Sequence, residues 1–274
     1  MNRAARVAIS QETLQIIEAG AYRNRAGDLV SIQAAASEAI ANTRLFKPED
    51  FPSHIDPIRH DVTTVFELTD ETTLAAASRI SGDEDDVFVL NFASAKNPGG
   101  GFLSGSQAQE ESLARSSSLY SCLNAKFEMY DFNRANDSCL YSDWMIYSPK
   151  VPIFRADDGA LLDAPYMASF VSSPAVNAGA VRRNEPDRVG LIDNVNRERA
   201  RKILWIASQH RHRTLILGAW GCGVFQNDPR AIAGMFHDLL TGEYADSFGR
   251  VIMAVYDRTP DRDVYGAFAE FFPA

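Results

Sequence analysis

The sequence predicts an α/β protein with a mixed, largely parallel sheet covered on both faces by helices and a helical extension at the N-terminus. Three observations predict it. Short apolar runs such as Val87 to Leu90 and Leu215 to Leu217 lack polar alternation, as strands do when both faces of a sheet are covered. From Val62 onward such runs alternate with segments of helical pattern. Two of them lead through a glycine-rich turn into a helix, the arrangement that places a ligand at the end of an open α/β sheet. The chain reads as one domain over 1–274, with an extension over 1–60 packed on a core over 61–274.

Taken in order, SQETLQIIEA at 10–19 predicts a helix capped by Ser10 and stopped by Gly20. Tyr22 and the run Leu29 to Ile32 flank the turn-like RNRAGD and predict a hairpin. Ala34 to Ala41 is helical in pattern, and the proline-bearing stretch Lys47 to Arg59 is irregular. The core then begins with a strand over Val62 to Leu68, a helix over Glu71 to Ile80, a solvated acidic loop over Asp83 to Asp86, and the strand Val87 to Leu90. A helix starting near Gln109 and running through Leu113, Leu119 and Leu123 follows, with Ser106 available as a cap. Further strands are predicted at Trp144 to Tyr147, Tyr166 to Val171, Thr214 to Gly218 and Arg250 to Val255. Further helices fall at Arg188 to His210, Pro229 to Leu240 and Asp261 to Phe271, with the run His210 to Arg213 capping a helix C-terminus.

Composition excludes several classes. With 274 residues, 46% hydrophobic and 23% charged, the chain can bury one large core. No apolar run approaches the roughly 20 residues of a membrane span, and MNRAARVAISQETLQ lacks the apolar centre of a signal peptide. A cytoplasmic protein with no membrane partner is expected. Cys122, Cys139 and Cys222 are odd in number and lack CxxC spacing, so reduced thiols are expected rather than disulfides or zinc. His54, Asp56, His60 and Asp61 match no metal-ligand spacing and are read as ordinary loop residues. The net charge of −9 argues against direct nucleic-acid binding. Any phosphate site must therefore use local donors, meaning backbone N–H groups in glycine loops and at helix starts.

The informative stretch is NFASAKNPGGGFLSGSQAQEESLARSSSLY, in which Gly99, Gly100 and Gly101 precede Gln109, Glu110 and Glu111 by seven residues. The glycines by themselves fit either a tight strand-to-helix turn or a ligand site, and GxGxxG and GxxxxGK[ST] spacings are absent. The paired acids fit either a helix start, where negative charge complements the macrodipole, or glycosidic chemistry, where one acid protonates a departing sugar oxygen while another carboxylate supports the anomeric carbon. A helix start lowers a carboxyl pKa, whereas a general acid needs it raised, so the second reading requires an opposing influence. A second glycine turn, GAWGCGVFQNDP, follows Leu215 to Leu217 and enters a helix with Asn227 or Asp228 as cap and Pro229 first. Cys222 lies in it with no adjacent histidine, so it is read as a small loop residue and not a nucleophile.

These two stretches, with GAYRNRAGDLV near the N-terminus, resemble the bacterial-type poly(ADP-ribose) glycohydrolases over nearly the whole chain. The resemblance implies a macrodomain-like three-layer α/β/α fold and hydrolysis of ribose–ribose O-glycosidic bonds, without metal or other cofactor. Its implied substrate is poly(ADP-ribose) or ADP-ribosylated protein, with ADP-ribose as product and a place in reversing ADP-ribosylation after DNA damage. It also implies that Glu111 is the catalytic acid and that Glu110 positions ribose hydroxyls. Substrate binding is implied for Asn97, Gly99, Gly100, Gly101 and Gln109. Backbone donors to a diphosphate are implied at Gly221, Cys222, Gly223 and Val224, with Phe225 against ribose or base. Thr69 and Asp70 close the first core strand but lack the usual Gly-Asp-Ile form, so no adenine contact is assigned there. A mono-ADP-ribosyl hydrolase, a non-catalytic ADP-ribose-binding module and an unrelated nucleotide enzyme are the alternatives.

Overall fold

The computed structural model describes residues 1–60, 62–82 and 87–272, so the acidic loop Asp83 to Asp86 and Asp61 lie outside the described residues. Helix α1, Arg3–Ala19, begins about two turns before the expected Ser10. Asn2 caps it there by accepting from the Ala5 N–H at 2.9 Å. Ser10 is instead buried mid-helix and donates to the Phe102 carbonyl at 2.8 Å, tying α1 to the loop that carries the triglycine. Gly20, at φ 68°, ends the helix as expected. The hairpin β1 (Ala21–Arg23) and β2 (Leu29–Ser31) and helix α2 (Gln33–Asn42) follow. Strand β3, Arg44–Phe46, has no counterpart in the sequence reading; it pairs antiparallel with a later strand and so threads the first 60 residues into the main sheet.

The core proceeds through β4 (Val65–Thr69), α3 (Thr73–Ile80) and β5 (Val87–Phe92). The single helix expected from Gln109 to Leu123 is two, α4 (Gln109–Ser116) and α5 (Leu119–Asn124). They separate because Ser117 is extended and bridges Ile153, and the Ser118 N–H donates to the Pro152 carbonyl at 3.1 Å. Ser106 does not cap α4, whose N-cap is Ala108. After α6 (Glu128–Ala135), strands β6 (Met145–Arg155) and β7 (Leu161–Ser173) form an antiparallel pair far longer than predicted. Pro149 masked β6 in the sequence; the strand absorbs it with a register shift between Ser148 and Val151, where Lys150 takes φ 46°. Helices α7 (Ala178–Asn184) and α8 (Ile192–Gln209), strand β8 (Thr214–Gly218), α9 (Pro229–Thr241), β9 (Arg250–Ala254) and α10 (Asp263–Ala269) complete the chain.

The seven-stranded sheet has order β3-β6-β7-β5-β8-β9-β4, parallel from β7 to β4 and antiparallel at the β3-β6-β7 edge. Alternate residues of the central strands feed two separate cores. Phe88, Leu90, Leu215 and Leu217 pack against α8, α9 and α10 through Leu204, Phe236 and Phe268. Val87, Val89 and Ile216 pack against α3, α4 and α5 through Leu74, Leu113 and Leu123. Burial on both faces is what made these strands continuous apolar runs, and the result is the expected three-layer α/β/α architecture.

Candidate active site

A cavity of about 640 Å³ opens where the parallel strands end, lined by the residues following β5, β8 and β9: Ala93, Ala219 and Val255. Both acids predicted from sequence stand at its wall, Glu110 3% and Glu111 9% exposed. They belong to the first turn of α4, which Gln109 pins to β5. The Gln109 amide accepts from the Phe92 N–H at 2.9 Å and donates to the Leu90 carbonyl at 2.8 Å and the Thr73 hydroxyl at 3.2 Å. Gln109 lines the cavity, and its amide is hydrogen-bonded to the protein, where it positions the helix.

Glu110 is held at both oxygens. Its Oε2 accepts from the Ser94 N–H at 2.7 Å and its Oε1 from Asn91 Nδ2 at 3.4 Å, while Asn91 also donates to Ser172 at 2.9 Å. Glu111 accepts from the Gly101 N–H through Oε1 at 2.9 Å, and its Oε2 has no hydrogen-bond partner among the described residues. Gly100, at φ 60°, passes between them; a Cβ there would lie 2.5 Å from Glu111 Oε1 and 3.0 Å from Glu110 Oε2. The two carboxylates therefore converge on one glycine. Burial pushes the Glu110 carboxyl up to about 8; the charge of Glu111 acts in the same direction, against hydrogen bonds from Ser94, Asn91 and Gly99. The net direction at Glu110 is thus upward, opposite to the effect of a helix start on a carboxylate.

The triglycine loop thus serves the acids first. The Gly101 N–H is taken by Glu111 and the Gly100 N–H by the Asn97 carbonyl at 3.0 Å. Gly99 is not at the cavity surface: it lies behind the loop, where a Cβ would meet Phe102 at 3.0 Å and Ala114 at 3.2 Å. Asn97 does line the cavity, with its Oδ1 accepting from Arg134 at 3.3 Å. Asn91 and Ser94 were not singled out in the sequence. Asn91 was visible only as the polar end of an apolar strand, and Ser94 acts through its backbone.

Across the cavity, the second glycine loop is built on Asn227. Its Nδ2 donates to the carbonyls of Val176 and Gly221 at 2.8 and 3.0 Å, and its Oδ1 accepts from Asn196 at 2.9 Å. Gly221, at φ 73°, has no room for a side chain, since a Cβ would lie 2.5 Å from both Ala175 and Asn227. Trp220 anchors the loop through Nε1 to the Ser173 carbonyl at 2.9 Å. The N–H groups of Gly221, Gly223, Val224 and Phe225 have no protein acceptor among the described residues, whereas that of Cys222 is used within the loop, donating to the Ala219 carbonyl at 3.1 Å. Burial pushes the Cys222 thiol up to about 12, with Asp228 adding to it, so the thiol is inert. Phe225 lies 5.7 Å from Tyr141, centroid to centroid, and Val224 is 84% exposed at the mouth. Asp228 caps α9 by accepting from the Arg230 N–H at 2.9 Å, with Pro229 first in the helix.

The far wall was not legible in sequence. Val255, Tyr256, Asp257 and Val264 line it beyond β9. Burial opposes ionisation of Asp257, but bonds from Thr259 and from the N–H groups of Val264 and Tyr265 prevail and hold the carboxyl below its usual range. Among the described residues no cluster of three or more metal-ligating side chains occurs.

Comparison with known proteins supports one lineage. The family model described as the microbial-type PARG catalytic domain matches residues 10–156. The poly(ADP-ribose) glycohydrolase of Thermomonospora curvata, solved with the inhibitor ADP-HPD, is 46% identical over 98% of this chain and 99% of its own, with a TM-score of 0.92. The Deinococcus radiodurans enzyme, solved with ADP-ribose, is 45% identical over 86% of this chain and 96% of its own, with a TM-score of 0.82. No curated protein sequence gives a match. Agreement in pattern over more than half the chain, and in sequence and fold over nearly all of it, makes this protein a member of the microbial-type poly(ADP-ribose) glycohydrolase family.

Proposed function

We propose that this protein hydrolyses the ribose–ribose O-glycosidic bonds of poly(ADP-ribose) and releases ADP-ribose, with Glu111 as general acid and Glu110 as the group that holds ribose hydroxyls. The observation that carries the reading is the asymmetry of the two buried acids. Glu110 is tied at both oxygens, while Glu111 is tied at one and keeps Oε2 for the substrate. Glu110 is also the acid whose carboxyl burial pushes up to about 8.

As the general acid, Glu111 transfers a proton to the departing ribose oxygen as the bond to the anomeric carbon breaks and its electron pair leaves with that oxygen. Positive charge then develops on the ring, stabilised by Glu110 and by the diphosphate of the bound unit. Water attacks the anomeric carbon and gives its proton to Glu111, which restores the starting state. The N–H groups of Gly221, Gly223, Val224 and Phe225 are the donors available for that diphosphate, on a chain whose net charge of −9 would otherwise repel it. Phe225 covers the ribose, and Asn97 with Gly100 bounds it on the other side.

Glu111→Gln tests the assignment. It retains ADP-ribose binding within about twofold by calorimetry and loses at least about 10²-fold in release of ADP-ribose from polymer, the range general acids supply. Near-wild-type turnover removes Glu111 from its role. ADP-ribosylated protein is the second substrate form, and faster release from mono-modified protein than from polymer would reassign the preference.

A further inference from the structure

A second cavity of about 260 Å³ adjoins the first, and Gln107, Ser112 and Asp157 line both. Three arginines stand in its remaining wall, Arg6 from α1, Arg115 from α4 and Arg155 from the end of β6, among uncharged residues. Arg115 and Arg155 are buried, 5% and 2% exposed, a costly placement for two like charges in an acidic protein. Arg115 lies one helical turn beyond Glu111 on the same face of α4, so the cavity runs on from the site of bond cleavage.

The protein does not exhaust these cations. Each guanidinium has five N–H donors. Arg6 donates to the carbonyls of Gly105 and Met1, both at 2.8 Å. Arg115 donates to the Ser106 carbonyl, Gln107 and Ser112. Arg155 donates to the Gly159 carbonyl at 2.7 Å and Glu12 at 2.9 Å, while its Nε is buried without a partner among the described residues. Three carboxylates act on the cluster, with Glu111 near Arg115 as well as the two that follow. Glu12 is engaged by Arg155, and Asp157 is hydrogen-bonded by the Thr72 hydroxyl.

We infer that this cavity binds a phosphate group of the ADP-ribose unit next along the polymer from the one in the main cavity. The inference rests on the polymer reading above and gives it an extended substrate site. Arginine forks suit phosphate oxygens, and continuity with the main cavity selects a phosphate on the same chain over a free anion.

The test compares affinities in the Glu111→Gln protein, which leaves polymer uncut. Arg6→Glu weakens poly(ADP-ribose) binding about five- to tenfold, as expected when one guanidinium no longer bonds a phosphate, and Arg6→Lys restores most of it. ADP-ribose alone fills only the main cavity, and its Kd stays within about twofold of the unsubstituted protein's. The Arg155→Gln variant, where it folds, acts in the same direction, and Arg6→Glu decides the matter where it does not. Unchanged polymer affinity in a folded Arg6→Glu protein overturns the inference, as does equal weakening of polymer and ADP-ribose. Inorganic phosphate separates the two sources of anion: competition with polymer but not with ADP-ribose supports the subsite. Phosphate that stabilises the protein without displacing polymer makes this an independent anion site and overturns the polymer assignment. A wild-type protein that binds polymer through Arg6 yet releases no ADP-ribose supports the subsite and defeats the catalytic reading alone.

Discussion

At the scale of single residues, the site depends on burying two acids together in the first turn of α4. A glutamyl carboxyl titrates near 4.5 when unperturbed, and Glu110 is pushed up to about 8 in the fold. Between those values the folded state holds a proton that the unfolded state has released. Its contribution to stability is therefore fully present below about 4.5 and is lost as pH rises towards about 8, by at most about 1.4 kcal/mol per pH unit. Urea unfolding across that window should show the decline, and Glu110→Gln should flatten it; an equally steep decline in the variant would locate the proton elsewhere. Gly100→Ala tests the space between the acids. Positive φ costs about 1–3 kcal/mol for a residue with a Cβ. The added carbon also strikes Glu111 Oε1, so turnover should fall at least about tenfold while circular dichroism still reports a folded chain.

At the scale of elements, two strand-loop-helix units do different work. The loop after β5 spends its amides on the carboxylates, and Gln109 locks α4 to the strand it follows. The loop after β8 leaves its amides open and takes its rigidity from Asn227 beneath it. Asn227→Ala strands the Asn196 amide and two carbonyls. It should cost about 1–3 kcal/mol and weaken ADP-ribose binding, with Glu111-dependent proton transfer intact for substrate that does bind. Calorimetry alongside single-turnover rates checks this, and an unchanged Kd would mean that the loop holds its shape without its support. The glycines of both loops and the two acids were legible in the sequence, and at Gly100 and Gly221 positive φ and close approach leave only glycine. The roles of Gln109 and Cys222 were not, since a hydrogen bond to Phe92 or Ala219 depends on how the loop closes.

At the scale of the molecule, the N-terminal 46 residues are part of the enzyme's frame. β3 completes the sheet edge on β6, Ser10 holds the Phe102 carbonyl, Thr13 holds the Arg115 carbonyl at 2.6 Å, and Tyr22 packs on Phe154. Each contact reaches either the long hairpin or the segment bearing Glu111. A chain lacking residues 1–46 should lose cooperative thermal unfolding, and a sharp transition near that of the full protein would show the frame to be dispensable.

The sequence by itself determined the α/β class, the central parallel strands, both loops and the two carboxylates, because each has a local cause: two-sided burial, the conformational freedom of glycine, a helix start. It could not determine β3, the length of β6 and β7, the break after Ser116, or the wall beyond β9. Those depend on partners distant in the chain, as when Ser118 leaves the helix for Pro152. The tertiary structure alone decided which influence wins at Glu110. A carboxylate at a helix start is stabilised by the helix dipole, but Glu110 is also buried beside Glu111, and its carboxyl is pushed up against the hydrogen bonds from Ser94 and Asn91.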